Sequence, residues 1–191
     1  MNSDLSKLFL GGGCFWCLEA VFSGVHGVSS TMPGYMGGEV KNPSYEDVCS
    51  GLTGHAEVIE ITYEKKSIDL KNILELFFNI HDPTTLNRQG ADVGSQYRSV
   101  IFCCNSEQYK ICEGYINNLN TMKTFHSSVV TELHLISQKE LAVTDSNLVK
   151  QIFWQAERMH QNYFNDNIGA PYCELVIKPK IEKRNKILKK L

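Results

Sequence analysis

The sequence predicts a single α+β domain, in which a mixed or antiparallel sheet is flanked by helices and joined by long glycine-rich loops. The chain has 191 residues, of which 42% are apolar, and this suits one compact core. Residues 55–63, HAEVIEITY, mostly alternate between apolar and polar side chains, as a strand does. Apolar residues then recur at i, i+3, i+4 and i+7 within residues 70–77, which indicates an amphipathic helix.

The chain begins with a strand, a glycine turn and a helix. Residues 7–10 predict the strand, residues 11–13 are all glycine, and residues 15–22 have apolar side chains near helical spacing. Cys14 is therefore expected in the first turn of the helix. Residues 24–54 are rich in glycine and contain two prolines, and we interpret them as a long loop that lines a site.

Patterns typical of strands and helices alternate in the second half, after a polar and irregular segment at 83–98. The predicted elements are, in order, a strand at 99–103, a helix at 106–118, a strand at 129–136, a helix at 148–164 capped by Asp145 or Ser146, and a short strand at 173–177.

The domain core spans about residues 7–177, and residues 178–191 form a basic C-terminal tail. The tail holds seven Lys or Arg and one Glu, so it carries +6 while the rest of the chain carries −8. We interpret it as a solvated end, extended or folded into a short helix, rather than as a site for RNA or acidic lipid.

The composition restricts the class of protein. The net charge of −2 does not indicate nucleic-acid binding, and no run of 18 apolar residues predicts a membrane span. The segment MNSDLSKLFL lacks the apolar stretch of a signal peptide, so we expect a cytoplasmic protein. In a reducing compartment most cysteines stay free thiols. The chain has seven: Cys14, Cys17, Cys49, Cys103, Cys104, Cys112 and Cys173.

Cys14 and Cys17 form a Cys-x-x-Cys pair next to the glycine turn. A helix N-terminus favours a thiolate, which is the nucleophilic form of cysteine, so Cys14 is a candidate nucleophile and Cys17 could resolve its oxidised form. The pair could instead bind a metal or simply pack in the core. Metal binding is the weakest alternative, because zinc sites normally combine two closely spaced ligand pairs.

Three other side chains could assist such a thiol. Glu57 begins the predicted strand beside a glycine turn, where an apolar pocket would raise the pKa of its carboxyl and let it donate a proton. Tyr45 and Tyr97 lie in loop-like segments and could donate hydrogen bonds to a bound oxygen. Taken alone, each of the three could equally be an ordinary surface or loop residue.

Six segments of the chain resemble peptide methionine sulfoxide reductases of the A type, in the order in which that family has them. The resemblance extends from about Phe9 to Lys180. The segments are GGGCFWCLEAVF at 11–22, GYMGG at 34–38, NPSYEDVCSG at 42–51, TGHAEV at 53–58, HDPTTLNRQGADVGSQYRSVIF at 81–102 and AERMHQNYF at 156–164.

The resemblance implies reduction of methionine-S-sulfoxide, free or in proteins. Cys14 matches the family's nucleophile, which attacks the sulfoxide sulfur, releases methionine and becomes a sulfenic acid. Phe15 and Trp16 match the residues that hold the substrate's methyl group.

The resemblance also assigns roles to four oxygen-bearing side chains. Glu57 matches the acid that protonates or hydrogen-bonds the sulfoxide oxygen, and Tyr45 and Tyr97 match the phenols that help it. Asp92 matches a carboxylate that helps to arrange the site.

A second cysteine must then resolve the sulfenic acid. The resemblance leaves two candidates, Cys173 near the C-terminus, which is slightly favoured, and Cys17. It implies thioredoxin as the reductant, a monomeric enzyme, and neither metal nor organic cofactor. The other cysteines are expected to be bystanders.

Two alternatives from other classes remain at this level. A general thiol–disulfide oxidoreductase would use the Cys-x-x-Cys pair but would leave Glu57 and the two tyrosines without a task. A non-catalytic zinc-binding module would contain stoichiometric zinc and would lose its fold with a chelator.

Overall fold

The protein is an α+β domain built on one large sheet. The computed structural model describes residues 5–136 and 152–189. The strands are β1 (Leu5–Gly11), β2 (Val28–Met36), β3 (Ala56–Glu64), β4 (Arg88–Gln89), β5 (Asp92–Val93), β6 (Val100–Cys103), β7 (Glu132–Leu135) and β8 (Phe153–Gln155). The helices are α1 (Phe15–Phe22), α2 (Tyr45–Cys49), α3 (Leu70–Ile80), α4 (Ser106–Thr121), α5 (Tyr163–Asp166) and α6 (Lys178–Leu188). None of the helices in these two ranges is long and apolar enough to cross a membrane.

Six strands form the main sheet in the order β7-β6-β1-β3-β2-β8. Neighbouring strands run antiparallel except β6 and β7, which run parallel. The predicted mixed sheet is therefore confirmed. Strands β4 and β5 form a separate two-stranded hairpin.

The larger core lies on one face of the sheet, between its central strands and the helices. Leu8 pairs with Ile61, and Leu10 with Ile59, and all four side chains are fully buried. Because side chains alternate along a strand, the residue between the two leucines, Phe9, points to the opposite face and joins a smaller apolar cluster there. The predicted amphipathic helix is confirmed as α3, which buries its apolar stripe against the larger core.

The interpretation of residues 24–54 as one long loop is wrong. The segment contains β2, which pairs with both β3 and β8, and the short helix α2. The sequence of β2, VSSTMPGYM, has neither a clear alternation nor a continuous apolar run, and it includes Pro33 and Gly34. The strand forms because long-range pairing stabilises it and overrides weak local propensity.

The C-terminal third differs most from the predictions. The helix expected at 148–164 is wrong where the structure describes it: residues 153–155 form β8, and helix is limited to a single turn at 158–160 and to α5. Residues 145–151 lie outside the described residues. Phe153 and Trp154 are good strand formers, and Phe153 packs on Phe9 with a ring distance of 5.2 Å.

The strand expected at 173–177 is also wrong. These residues form a π-helical turn that continues directly into α6, so the basic tail is a helix rather than an extended segment. This helical segment packs against α1. Arg184 donates from Nη1 to the carbonyl oxygens of Ala20 and Val21, at 3.2 and 3.1 Å, and so satisfies carbonyls near the end of α1.

We expect Gly13→Ala to destabilise the fold by about 1–3 kcal/mol, because φ at this residue is +92° and a Cβ atom would lie 2.6 Å from Gln89 Cγ. Gly114→Ala is the control, since Gly114 lies in α4 with nothing within 4 Å of an added Cβ atom, and this change should stabilise by about 0.5–1 kcal/mol. Urea unfolding of both variants tests this. Equal effects would contradict the assigned backbone conformation.

Candidate active site

The glycine turn after β1 brings three separate segments together. A Cβ atom on Gly11 would lie 2.9 Å from the carbonyl oxygen of Glu57, so only glycine lets β1 approach β3 this closely at its end. Gly13 donates its N–H to the carbonyl oxygen of Tyr97 at 3.1 Å. Residues 57 and 97 are therefore held beside the start of α1, where Cys14 lies.

Cys14 is the N-cap residue of α1, with an extended backbone, and not part of its first turn as predicted. Cys17 is then the N3 residue, and the side chains of an N-cap and an N3 residue face each other. Both thiols are buried, and each shifts the pKa of the other. The fold thus places the two thiols close enough to interact before any oxidation.

Glu57 is buried at the start of β3, with 1% of its surface exposed. Its Oε2 accepts the N–H of Phe15 at 3.0 Å, which is the first free amide of α1. Burial raises the pKa of this carboxyl to about 8, although the hydrogen bond from Phe15 acts in the opposite direction. Glu57 is consequently a protonated acid at neutral pH. It is hydrogen-bonded to Phe15, the residue that directly follows Cys14.

The expectation that the helix N-terminus makes Cys14 a thiolate is wrong for the substrate-free protein. Burial raises the pKa of Cys14, and the hydrogen bond with Cys17 and the charge of Glu57 raise it further. The hydrogen bond from Cys14 lowers the pKa of Cys17 to about 7. The Cys14 side chain accepts no hydrogen bond from the amides of α1, and the Phe15 amide donates to Glu57 instead, so Cys17 is the more acidic thiol.

Tyr45 and Tyr97 are half-buried on the same side of the site. Burial raises the pKa of both phenols, and the charge of Glu57 adds to the effect, so both retain an O–H that can donate. Tyr45 begins α2, and its amide donates to Oε1 of Glu157 at 2.7 Å. The structure therefore brings both predicted phenols together with Glu57.

Aromatic rings form the wall next to Cys14. Phe15 is fully buried, and Trp16 stacks on Tyr163 with a ring distance of 3.6 Å and an interplanar angle of 4°. The ring centre of His160 lies 5.6 Å from the ring centres of Phe15 and Trp16, and 4.4 Å from that of Tyr45. A groove of about 460 Å³ lies beside this wall, and Trp16, Tyr45 and His160 are among the residues that line it.

The sequence analysis missed Glu157, which fixes the position of α2. Besides the amide of Tyr45, its carboxylate accepts the Tyr35 hydroxyl at 2.9 Å. The only available signal was its position in the AERMHQNYF segment, to which no individual roles were assigned.

The sequence analysis also missed Tyr172. This residue contacts Asp92 and Cys17, and it directly precedes Cys173. The Tyr172 hydroxyl donates to Asp92 Oδ2 at 3.3 Å and lies 3.8 Å from Cys17 Sγ. Cys173 follows it directly and is fully buried in the π-helical turn, where a short strand was predicted.

The remaining cysteines lie in different surroundings. Cys49 is exposed at the end of α2, and Cys104 is half-buried. The Cys103 and Cys112 sulfurs lie 3.8 Å apart between β6 and α4, fully buried. Within residues 5–136 and 152–189, no group of three His, Cys, Asp or Glu side chains could hold a metal ion.

Comparison with known proteins agrees with this arrangement. A family model described as peptide methionine sulfoxide reductase matches residues 6–191. The chain belongs to this family. The reductase is 47% identical over 182 residues to peptide methionine sulfoxide reductase MsrA of Trichodesmium erythraeum, covering 95% of each chain. It is 49% identical over 178 residues to MsrA of Saccharolobus solfataricus, covering 93% of this chain and 92% of that one.

Solved structures share the fold of the reductase. Reduced Mxr1 from Saccharomyces cerevisiae matches with a TM-score of 0.75 and 28% identity, over 91% of each chain. Methionine sulfoxide reductase A of Corynebacterium diphtheriae matches with a TM-score of 0.69 and 30% identity, over 87% of this chain and 76% of that one. Mxr1 in complex with Trx2 has the same fold, with a TM-score of 0.52 and 21% identity, over 72% of this chain and 80% of that one.

We expect the raised pKa of Glu57 to make folding stability depend on pH. Below about pH 4.5 both folded and unfolded states hold the proton, and between about 4.5 and 8 only the folded state does. Stability should therefore fall as pH rises through this window, with a limiting slope of about 1.4 kcal/mol per pH unit. Urea unfolding of wild type and Glu57→Gln at several pH values isolates this contribution, because glutamine does not titrate. Parallel profiles would show that Glu57 ionises normally.

Proposed function

We propose that this reductase acts on the S epimer of methionine sulfoxide, with Cys14 as its nucleophile and Glu57 as its proton donor. The observation that carries the proposal is the hydrogen bond between Glu57 and the Phe15 amide, which holds a buried, protonated acid beside the cysteine. A sulfoxide oxygen carries partial negative charge, and its loss from sulfur requires a proton. The site offers a nucleophile and a proton at the same helix end.

The first half-reaction transfers one oxygen atom. An electron pair of Cys14 Sγ attacks the sulfoxide sulfur while the oxygen takes the proton of Glu57, with Tyr45 and Tyr97 donating hydrogen bonds to it. The attack forms a transient S–S bond. This bond and the S–O bond of the substrate then break as the hydroxyl passes to Cys14 Sγ, so methionine leaves and Cys14 becomes a sulfenic acid. The original thiol proton of Cys14 replaces the one that Glu57 gave. Both groups start and finish neutral, so no net charge accumulates in the buried site.

The aromatic wall accounts for the choice of epimer. We assign the substrate methyl group to the side of Phe15 and Trp16, opposite the hydroxyl groups of the site. Once the methyl group and the oxygen are both held in place, only one epimer turns the lone pair of its sulfur away from the aromatic wall. That orientation is the one that the proposed reaction requires. The open groove beside Tyr45 leaves room for the rest of a peptide, so free and protein-bound substrates both fit.

We assign the resolving step to Cys17 and not to Cys173, which reverses the slight preference from the sequence. Cys17 is the N3 residue that faces Cys14 at the buried N-terminus of α1, and its interaction with Cys14 lowers the pKa of Cys17. Because Cys14 is an N-cap residue and its backbone is extended, the pair can close with less distortion than two cysteines inside a helix. Cys173 would first have to leave its buried helical turn.

The reductant that we propose is thioredoxin. Yeast Mxr1, which shares this fold, has been crystallised with Trx2, and a disulfide at a helix N-terminus is a suitable substrate for thiol exchange. The proposed chemistry uses only thiols, a carboxyl group and phenols, so we propose no metal or organic cofactor.

The general thiol–disulfide oxidoreductase is the weaker alternative, because disulfide exchange alone needs neither a buried acid nor two phenols at the nucleophile. We further propose that the protein acts as a monomer in the cytoplasm. The free cysteines of the structure suit a reducing compartment.

Separate S and R epimers of methionine sulfoxide, with dithiothreitol as the reductant, test the reaction. We expect turnover of the S epimer only, and loss of turnover in Cys14→Ser, since an alcohol is a far weaker nucleophile than a thiol. Cys104→Ser is the control, because this half-buried thiol packs against the smaller apolar cluster on the opposite face of the sheet. Turnover of the R epimer, or activity of Cys14→Ser, would contradict the proposal.

Single-turnover reactions without reductant test the resolving cysteine. We expect Cys17→Ser to release one equivalent of methionine and to accumulate a sulfenic acid that dimedone traps. Cys173→Ser should release methionine and form the disulfide at the wild-type rate. If instead Cys173→Ser accumulates the sulfenic acid and Cys17→Ser does not, the assignments are reversed.

A further inference from the structure

The Tyr172 hydroxyl occupies the space between the thiol pair and the carboxylate of Asp92. It donates to Asp92 Oδ2 at 3.3 Å, and its oxygen lies 3.8 Å from Cys17 Sγ. Because the single proton of the hydroxyl is directed to Asp92, the lone pairs of its oxygen are free to accept the proton of a thiol.

Two independent parts of the fold hold this arrangement in place. Tyr172 has helical backbone angles at the start of the turn that buries Cys173, and its ring meets Trp16 edge-on at 5.8 Å. Asp92 lies in the β4–β5 hairpin, which Gln89 anchors through hydrogen bonds with Asp82. The phenol therefore lies between two anchored groups and is not a mobile surface side chain.

Because the Tyr172 hydroxyl stays protonated, it suits a proton relay rather than a general base. Burial raises the pKa of the phenol, and the charge of Cys14 raises it further, so the hydroxyl stays protonated at any working pH. A neutral phenol can accept one proton only as it gives up another. Asp92, which accepts the hydrogen bond, is the group placed to receive that second proton.

We propose that Tyr172 is a catalytic residue of the resolving step, in which its hydroxyl relays the proton of the Cys17 thiol to Asp92. The inference rests on the proposed function, in which Cys17 attacks the sulfenic acid of Cys14. It assigns to Tyr172 and Asp92 a part in disulfide formation, separate from the reduction of the sulfoxide.

The atoms and electrons of the step balance. The Cys17 sulfur forms a bond to the Cys14 sulfur with its electron pair, and the S–O bond of the sulfenic acid breaks. The departing hydroxyl takes the proton of Glu57 and leaves as water. The thiol proton of Cys17 passes to the Tyr172 oxygen as the phenol proton passes to Asp92. Compared with the starting protein, two thiols have become a disulfide. The oxygen atom of the substrate has become part of a water molecule.

Tyr172→Phe removes only the hydroxyl and keeps the ring against Trp16. In a single turnover without reductant, we expect methionine release at the wild-type rate and disulfide formation slowed roughly 100-fold, a typical contribution of general acid–base catalysis. A sulfenic acid that dimedone traps should accumulate. Tyr115→Phe is the matched control, since its phenol donates to Glu75 at 2.8 Å, away from the thiols, and should leave both steps unchanged.

Disulfide formation at the wild-type rate in Tyr172→Phe would overturn the relay. So would equal slowing of both steps, because that would indicate a merely structural role. Asp92→Asn is a second variant, which can accept the hydrogen bond but cannot take the proton, and it should slow disulfide formation in the same way. If Asp92→Asn slows methionine release alone, the relay to Asp92 is wrong.

The same experiment separates this inference from the proposed function. Wild type that releases no methionine would refute the proposed reaction itself. Cys17→Ser that forms a disulfide at the wild-type rate would refute the proposed resolving cysteine. If both of those results support the proposed function and Tyr172→Phe is unaffected, only the role of Tyr172 fails.

Discussion

The hydrogen bond from the Phe15 amide to the Glu57 carboxyl connects the fold of this reductase to its chemistry. One partner is the first amide of α1 and the other is the second residue of β3, so the bond joins the helix that carries the thiols to the centre of the sheet. It places the proposed acid beside the proposed nucleophile, whose side chain accepts no hydrogen bond from the amides of the helix. Burial consequently keeps Glu57 and Cys14 protonated in the resting site.

The protonation of these two groups helps several titratable groups to share a buried site. Two thiols, the carboxyl groups of Glu57 and Asp92 and three phenols lie close together, and separate charges on all of them would be costly to desolvate. The burial that raises the pKa values of Glu57 and Cys14 keeps both groups protonated until a substrate arrives. Oxygen transfer then exchanges protons between groups that start and finish neutral.

The sequence predicted those parts of the fold that depend on local pattern. Strand β3 and helices α3 and α4 have clear periodicity or caps, and the structure has them near the expected residues. Strands β2 and β8 were missed because their stability comes from pairing with each other and with distant strands, which no local window reveals. The helical turn at 173–177 was missed for a similar reason, since it packs against α1.

The candidate site could be predicted further than the fold, because the family motifs identify residues whose spatial relation the sequence does not show. Cys14, Glu57, Tyr45 and Tyr97 were selected in this way, and the structure brings them together. The protonation state of Cys14 could not be predicted, because it depends on which group takes the Phe15 amide. Glu157 and Tyr172 act through contacts with residues more than 75 positions away, which a linear reading cannot detect.

Both ends of helix α1, which carries Cys17 and begins after Cys14, make hydrogen bonds with residues that are synthesised much later. At its N-terminus the Phe15 amide donates to Glu57, and near its C-terminus Arg184 donates to the last carbonyls. Between the two ends, the Glu19 side chain accepts the amides of Asn162 and Tyr163. The helix is among the first elements synthesised, yet its full set of partners exists only when nearly the whole chain has emerged. A growing chain therefore exposes Cys14 and Cys17 outside their buried setting for most of its synthesis, and the site acquires its pKa values only at the end.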